Sequence, residues 1–227
     1  MATDLHRPTS PRARRRTVKA PLAVRVDGLT RAYDGRPVLD GLRLDIRPGE
    51  VVALLGRAGS GKSALLRVLA GLDRDIEGTV LVPRRKAVAL HAPQLPPWKR
   101  VWRCVLLGLP GKPDRARAER ALDAVGLGHR TNARAKALSP DEVQLVWLAQ
   151  ALLREPELLL LDEPFGTPSG EVWRRPGVTV LLATRDAEAA ERLADRVVVI
   201  DGGVIVHERP RRTEPRSSRE DPRTPPG

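Results

Sequence analysis

Cysteine and aromatic side chains are scarce in this sequence of 227 residues. Cys104 is the one cysteine, so no disulfide can form within the chain, and a reducing compartment such as the cytoplasm is expected. Tryptophan, tyrosine and phenylalanine together make up 3% of the residues, although 41% are hydrophobic. A core large enough for one domain must therefore be built mainly from leucine, valine and alanine.

Long apolar segments are missing as well. No run of apolar residues reaches the length of about 20 that a transmembrane helix needs. The basic N-terminal stretch lacks the apolar centre of a secretory signal, so we do not expect export. His, Cys and Asp residues do not group at the spacing of a zinc site. These absences argue against a membrane-spanning, secreted or zinc-dependent protein.

Much of the net charge of +12 lies at the two ends of the chain. Residues 1–20 carry six basic side chains against Asp4, and residues 208–227 carry six arginines against four acidic residues. Both ends are rich in Pro, Arg, Ser and Thr, so we expect them to be disordered tails around one domain at residues 21–207. Arg14–Arg16 could contact nucleic acid or anionic lipid. No aromatic residues interleave there for base stacking, so a solvated tail is favoured.

A glycine-rich stretch fits the phosphate-binding pattern G-x-x-x-x-G-K-[ST]. An apolar run at residues 50–55 before it predicts a buried strand, and residues 63–70 after it predict a helix. Strand, glycine loop and helix N-terminus in this order direct backbone N–H groups at a phosphate. We expect Lys62 to contact the β- and γ-phosphates as a catalytic group and Ser63 to hold Mg²⁺. The candidate nucleotide-binding residues are Gly56, Arg57, Ala58, Gly59, Ser60, Gly61, Lys62, Ser63 and Ala64.

Two carboxylates follow a second apolar run, Leu158–Leu161. In a protein with a phosphate-binding loop, Asp162 at this place is expected to hold Mg²⁺ through water, and Glu163 to act as the general base. Each motif also has a simpler interpretation: a glycine-rich turn that binds nothing, and an acidic strand end. The flanking patterns disfavour both alternatives.

Strand and helix patterns alternate along the chain, which predicts an α/β fold with a mostly parallel sheet flanked by helices. A small antiparallel β region is expected before the glycine loop. A capping box, with Ser at the N-cap, Pro at N1 and Glu at N3, predicts a long helix from residue 139 that residue 156 ends. Further strands are predicted at residues 22–26, 42–46, 78–82, 87–90, 158–161, 178–183, 197–200 and 204–206, further helices at 114–125 and 187–194, and helical structure at most over 169–175.

Residues 22–207 resemble the ATP-binding subunit of an ABC transporter. Gly56–Ser63 matches the Walker A motif, and Leu158–Glu163 followed by Pro164-Phe165 matches Walker B. The resemblance implies a P-loop NTPase fold of the ABC type, with a helical subdomain at about residues 92–154, and ATP and Mg²⁺ as ligands. Tyr33 lies where the family has an aromatic residue that stacks on adenine; without the resemblance, an exposed loop tyrosine would be equally compatible.

The stretch from Leu95 to Val101 resembles a segment of the importer branch for nitrate, aliphatic sulfonates and taurine, and so does Pro37–Leu72. In that branch this loop faces the membrane subunit. The resemblance therefore implies an integral membrane permease as partner, bound through the Leu95–Trp102 loop. It also implies a second ATPase subunit, identical or different, and a location in the cytoplasm on the inner face of the cell membrane.

Four family motifs are altered. The signature motif of the family is Leu-Ser-Gly-Gly-Gln, with Glu as an alternative in the last position. In this sequence its place is taken by Leu138, Ser139, Pro140, Asp141 and Glu142. Pro140 has no N–H to donate to a phosphate. Asp141 places a negative charge where a phosphate should lie. Two like charges about 4 Å apart cost on the order of 4 kcal/mol at an effective dielectric of about 20. The glutamine of the Q-loop is replaced by His91, the aspartate of the D-loop by Ser169 and the histidine of the switch loop by Arg185.

These observations predict that Mg-ATP binds and that hydrolysis is slow or needs a partner. The first hypothesis is the ATPase subunit of an importer, with an aliphatic sulfonate or a similar oxyanion as cargo. The alternative is a nucleotide-binding pseudo-ATPase or regulatory subunit, which the altered motifs favour. A nucleic-acid-binding ATPase ranks last, because soluble relatives of that type often carry two ATPase domains.

Overall fold

The computed structural model describes residues 22–89, 94–163 and 172–210. The segments around His91 and Ser169, and Pro164-Phe165, lie outside these residues. Five α-helices are described: α1 (Lys62–Ala70), α2 (Val101–Val105), α3 (Arg115–Ala124), α4 (Pro140–Leu152) and α5 (Ala187–Leu193). The described strands are β1 (Val24–Tyr33), β2 (Arg36–Ile46), β3 (Val51–Leu55), β4 (Glu77–Leu81), β5 (Lys86–Ala89), β6 (Leu158–Asp162), β7 (Thr179–Thr184), β8 (Arg196–Asp201) and β9 (Val204–Pro210).

Two sheets organise the described residues. The larger has the order β5-β6-β7-β3-β8-β9, with parallel pairing throughout except between β8 and β9. The smaller has the order β2-β1-β4 and is antiparallel. Every residue of β6 and β7 is buried. Strands covered on both faces read as continuous apolar runs, which explains the four consecutive leucines.

The large sheet separates two parts of the core. Leu158 and Leu160 pack on one face with α1 and the antiparallel sheet, whereas Leu159 and Leu161 pack on the other face with the remaining helices. Successive side chains of a strand point to opposite faces, so a leucine run supplies both layers. The buried residues are mainly leucine, valine and alanine, as predicted. The fully buried Trp173 was not predicted as a core residue.

The helical part between β5 and β6 contains α2, α3 and α4, which contact one another. The predicted capping box is present at the start of α4. Ser139 Oγ accepts the Glu142 N–H at 3.2 Å, and Glu142 Oε2 accepts the Ser139 N–H at 2.9 Å. Pro140 occupies N1, where no intrahelical partner is needed for its missing N–H. The start of α4 is therefore stabilised by its own side chains.

Ser139→Ala is expected to lower the free energy of unfolding by about 1 kcal/mol, because the N3 amide loses its acceptor. Chemical denaturation of the purified protein measures the change. Ser139→Thr retains a hydroxyl and serves as the matched control, with stability close to that of the parent. Equal losses in both variants would contradict the capping role.

Two strands extend several residues past their predicted ends. β1 continues beyond residue 26 to Tyr33, because pairing with β2 resumes after an irregularity near Gly28, whose φ is +65°. That irregularity interrupts the alternating pattern in the sequence. β9 extends to Pro210, three residues past the predicted end of the domain. Arg209 lies opposite Val197 there, and an edge strand completes its ladder through backbone atoms without an apolar sequence signal.

One loop prediction also needs correction. Trp102 lies in α2 and is half-buried, so only part of the predicted Leu95–Trp102 loop is a loop. Residues 172–178 form turns; the sequence had allowed helical structure at most over residues 169–175. Trp173 fills the core from one of these turns. The burial of Trp173 stabilises this irregular connection between β6 and β7, which has no helix in its described part.

Candidate functional site

The predicted phosphate-site residues, which are the glycine loop, Asp162 and Glu163, meet at the carboxyl ends of three neighbouring strands. β7 lies between β3, which leads into the glycine loop, and β6, which ends in Asp162. Backbone hydrogen bonds join the ends: Gly56 N–H donates to the Thr184 carbonyl at 3.2 Å, and Glu163 N–H donates to the Ala183 carbonyl at 2.9 Å. Open α/β sheets bind ligands at this edge.

The glycine loop leaves no room for side chains at two of its positions. A Cβ at Gly56 would collide with the Ile200 carbonyl. Gly61 has a φ of +104°, and a Cβ there would lie 2.9 Å from the Val38 carbonyl oxygen. The Gly203 N–H, from the β8–β9 turn, donates to the Ser60 carbonyl at 3.1 Å. Neighbouring segments therefore fix the loop in a backbone conformation that requires glycine at these two positions.

Lys62 is folded into this loop. Its Nζ donates to the carbonyls of Gly56 at 2.7 Å and Arg57 at 2.8 Å. Burial lowers the pKa of Lys62, the Glu163 carboxylate opposes that shift, and the Arg185 cation adds to it. The side chain is one of few charged groups that are buried in the described residues. A cation at this place fits the predicted role on the phosphates.

Ser63 and Asp162 come together as predicted for a magnesium site. Ser63 Oγ donates to Asp162 Oδ2 at 3.0 Å, across 99 residues of chain. Asp162 Oδ1 is buried and has no hydrogen-bond partner within the described part of the chain. Hydroxyl and carboxylate oxygens are donors that Mg²⁺ prefers, so the pair fits this ion. Among the residues described, no group of three or more His, Cys, Asp or Glu side chains could hold a metal.

Glu163 forms an ion pair that the sequence did not predict. Arg185 Nε donates to Glu163 Oε1 at 2.7 Å. The glutamate is 6% exposed, and its φ of +49° is unusual for a residue other than glycine. In the structure the Arg185 guanidinium binds the candidate general base. One lone pair of that carboxylate is therefore occupied by a charge-assisted hydrogen bond.

Tyr33 lies apart from the strand ends, at the end of β1. Its hydroxyl donates to Asp73, and the Arg31 guanidinium lies 4.4 Å from the centre of its ring. Sequence reasoning missed both neighbours. Asp73 follows α1, so only the folded arrangement of β1 against the end of that helix brings the two residues together.

The altered signature lies at the start of α4. Arg130 Nε donates to Glu142 Oε1 at 2.7 Å. The Ser139 N–H, and then Arg130, lower the pKa of Glu142. Asp141 is exposed. In the described ranges, no side-chain hydrogen bond or ion pair joins Ser139, Asp141 or Glu142 to the glycine loop. His91 and Ser169, two of the altered motif positions, lie outside the described residues.

The sequence profile of the ABC transporter family matches residues 39–166, which is more than half of the chain and includes both phosphate-site motifs. The chain belongs to the ABC transporter family. This confirms the family predicted from residues 56–63 and 158–163. In the described part of the chain, no helix is long and apolar enough to cross a membrane.

Two similar proteins carry names that refer to sulfonate import. The chain is 62% identical over 224 residues to the aliphatic sulfonates import ATP-binding protein SsuB 1 of Streptomyces avermitilis, with 92% of this chain and 86% of the relative covered. It is 54% identical over 221 residues to SsuB 2 of Paracoccus denitrificans, with the same two coverages. The predicted branch of the family is thereby confirmed.

Solved ATP-binding cassettes share the fold. A dimeric cassette in a post-hydrolysis state with ADP and Pi gives a TM-score of 0.74 at 23% identity, covering 83% of this chain and 99% of the other. A nucleotide-free cassette from an ABC transporter gives 0.73 at 20% identity, covering 84% and 92%. These similarities confirm the predicted α/β fold of the P-loop NTPase type.

Proposed function

We propose that the chain is the ATP-hydrolysing subunit of an ABC importer for aliphatic sulfonates or similar oxyanions. The observation that carries the proposal is the meeting of Lys62, Ser63, Asp162 and Glu163 at the ends of β3 and β6. The names of the relatives at 62% and 54% identity support the cargo class. They give no support to the alternative of a pseudo-ATPase.

Each residue of the site has a distinct task in this proposal. The backbone N–H groups of Gly56–Ala64 and the Lys62 ammonium bind the phosphates of ATP. Ser63 and Asp162 hold Mg²⁺, which neutralises phosphate charge when it is bound. Glu163 orients and deprotonates the attacking water. Tyr33 stacks on the adenine ring, as the resemblance implies.

The Arg185–Glu163 pair slows the reaction in this scheme. The hydrogen bond to Oε1 fixes the Glu163 carboxylate, so the attacking water must use the acceptor sites that remain. Arg185 is 59% exposed on its side chain, whereas Glu163 is enclosed, so the arginine is the partner that can move away. Intrinsic hydrolysis is therefore slow, and events that draw Arg185 toward another anion release the base.

Arg185→His is expected to raise the turnover number about tenfold at saturating ATP, because both oxygens of the Glu163 carboxylate then become available to the attacking water. The Kd for ATP should change little, since Arg185 does not bind the glycine loop in the structure. Steady-state phosphate release and equilibrium ATP binding measure the two quantities. Arg192→His, on α5, is the matched control and should leave both unchanged. A fall in turnover for Arg185→His would show instead that the arginine assists the reaction.

The surface toward the permease is placed at the loop before α2. Trp98 is 68% exposed. The loop is braced from behind: Lys136 N–H donates to the Pro97 carbonyl at 3.2 Å, and Ala135 N–H donates to the Lys99 carbonyl at 2.9 Å. An exposed tryptophan on a braced loop is suited to insert into a partner surface. We place the integral membrane permease there, on the cytoplasmic side of the cell membrane.

A second ATPase subunit completes the assembly, as the dimeric cassette of the same fold suggests. The closed capping box at α4 disfavours a phosphate at this helix start, because Pro140 lacks an N–H and Asp141 is negative. A partner with an unaltered signature would therefore serve the site built on Lys62 better than an identical copy.

Complementation tests the proposed cargo. A bacterial strain that lacks its sulfonate-import ATPase should regain growth on an aliphatic sulfonate as sole sulfur source when it expresses this chain with its cognate permease. Glu163→Gln should abolish that growth without reducing protein level. ATP hydrolysis in the purified complex without sulfonate-dependent growth would leave the ATPase role intact and contradict the cargo.

A further inference from the structure

A cluster of three side chains surrounds the only tyrosine of the sequence. Tyr33 Oη donates to Asp73 Oδ2, and Arg31 Nε donates to the same oxygen at 3.1 Å. Arg31 Nη1 donates to Asp75 Oδ2 at 2.5 Å. The side chains of Arg31 and Asp73 are 14% and 9% exposed, so this pair is largely enclosed, whereas Asp75 lies at the exposed edge of the cluster. The cluster lies outside the phosphate site, and none of the roles given above uses Arg31, Asp73 or Asp75.

The cluster restrains the tyrosine ring from several directions. The backbone of Tyr33 is fixed in β1 opposite Arg36, and its hydroxyl is fixed by Asp73 at the other end of the side chain. The Arg31 guanidinium covers one ring face at 4.4 Å, and the ring also packs against the core. A phenol that is held at both ends and covered on a face keeps one orientation, which is what a stacking platform requires.

The cluster also links the platform to the phosphate site. Asp73 follows α1, and its own N–H donates to the Arg67 carbonyl in the last turn of that helix at 3.3 Å. At its N-terminal end, α1 begins at Lys62 within the glycine-loop motif. One short helix therefore holds phosphate-binding groups at its start and the anchor of Tyr33 beyond its end.

We propose that Asp73 and Arg31 are positioning residues for nucleotide recognition, which hold the Tyr33 ring so that it stacks on the base of the bound nucleotide. The inference rests on the proposed ATP site and deepens it. Since stacking of the Tyr33 ring acts on the base alone, its contribution to affinity can be measured separately from phosphate binding. Inorganic tripolyphosphate has the phosphates and no base, so it serves as the probe that makes the separation measurable.

The test compares the dissociation constants of ATP and tripolyphosphate for the full chain and its variants. Asp73→Ala, which removes the acceptor, and Tyr33→Phe should each weaken ATP binding about fivefold, a part of the energy of base–aromatic stacking. Both should leave tripolyphosphate binding unchanged, and the double variant should be no worse than either single one, because both changes break one contact. Asp27→Ala is the matched control: this exposed carboxylate on β1 pairs with Arg43 at 2.9 Å and should alter neither constant.

A second readout needs no nucleotide. The Asp73 carboxylate, which accepts the hydroxyl, raises the pKa of Tyr33 above its usual range, and burial adds to the shift. Because Tyr33 is the only tyrosine, tyrosinate absorbance reports it alone, and Asp73→Ala should lower the pH of ionisation. Unchanged ATP affinity in Asp73→Ala and Tyr33→Phe, or equal losses for ATP and tripolyphosphate, would overturn the positioning role. Failure of the parent protein to bind either compound would instead refute the ATP site itself.

Discussion

Glu163→Gln is expected to lower the turnover number for ATP by about a hundredfold or more, because the amide cannot accept the proton of the attacking water. ATP affinity should stay within about twofold of the parent, since the hydrogen bonds of the glycine loop to a phosphate do not involve this side chain. The amide oxygen of glutamine can still accept the Arg185 Nε–H, so the local structure should persist. The measurement is single-turnover hydrolysis beside equilibrium binding.

The chain offers a control at the other end of the same strand. Glu157 immediately precedes β6 and forms an exposed ion pair with Arg85 at 2.9 Å. Glu157→Gln makes the same chemical change to a carboxylate paired with an arginine, at a distance from the site. Turnover should be unaffected there. A similar loss of turnover in both variants would mean that β6 had been perturbed and that Glu163 has no specific role.

Lys62→Ala is expected to weaken ATP binding by about a hundredfold, because hydrogen bonds from a charged donor to an anion are among the strongest in proteins. The Lys62 ammonium also holds the carbonyls of Gly56 and Arg57, so its removal relaxes the loop as well. Isothermal titration with ATP and with ADP separates the two effects. Loss of the γ-phosphate contact affects ATP more than ADP, whereas relaxation of the loop affects both.

Lys136→Ala is the control for this change, since Lys136 is exposed in the helical part of the molecule. Its affinity for ATP should equal that of the parent. Circular dichroism of both variants checks that the fold is retained. Undiminished ATP binding in Lys62→Ala would remove the glycine loop from the account of nucleotide binding, whatever the resemblance of its sequence.

Features that are encoded within a few residues were predictable from the sequence. The glycine loop needs only its own eight residues and the strand and helix beside them, and the capping box at Ser139 and Glu142 spans four. Both appeared in the structure as expected. The alternating faces of the leucine run in β6 likewise follow from the period of a strand.

Contacts that no sequence motif marks, and that depend on strand order or on distant packing, were not predictable. The Arg185–Glu163 pair joins residues 22 apart in sequence and exists because β7 lies next to β6 in the sheet. The Tyr33–Asp73 contact spans 40 residues and depends on where α1 ends. Trp173 gave no core signal, because its turn has no helical or strand periodicity. Each of these contacts is a property of the topology and not of a local pattern.

Mg-ATP binding and steady-state hydrolysis by the purified chain, measured beside Glu163→Gln and Arg185→His, test the central claim most directly. The claim is that the ends of β3, β6 and β7 form a hydrolytic ATP site whose base is held by Arg185. It predicts that ATP binds, that turnover is slow, that Arg185→His accelerates it and that Glu163→Gln abolishes it. Absence of ATP binding, or turnover that neither substitution changes, would contradict it.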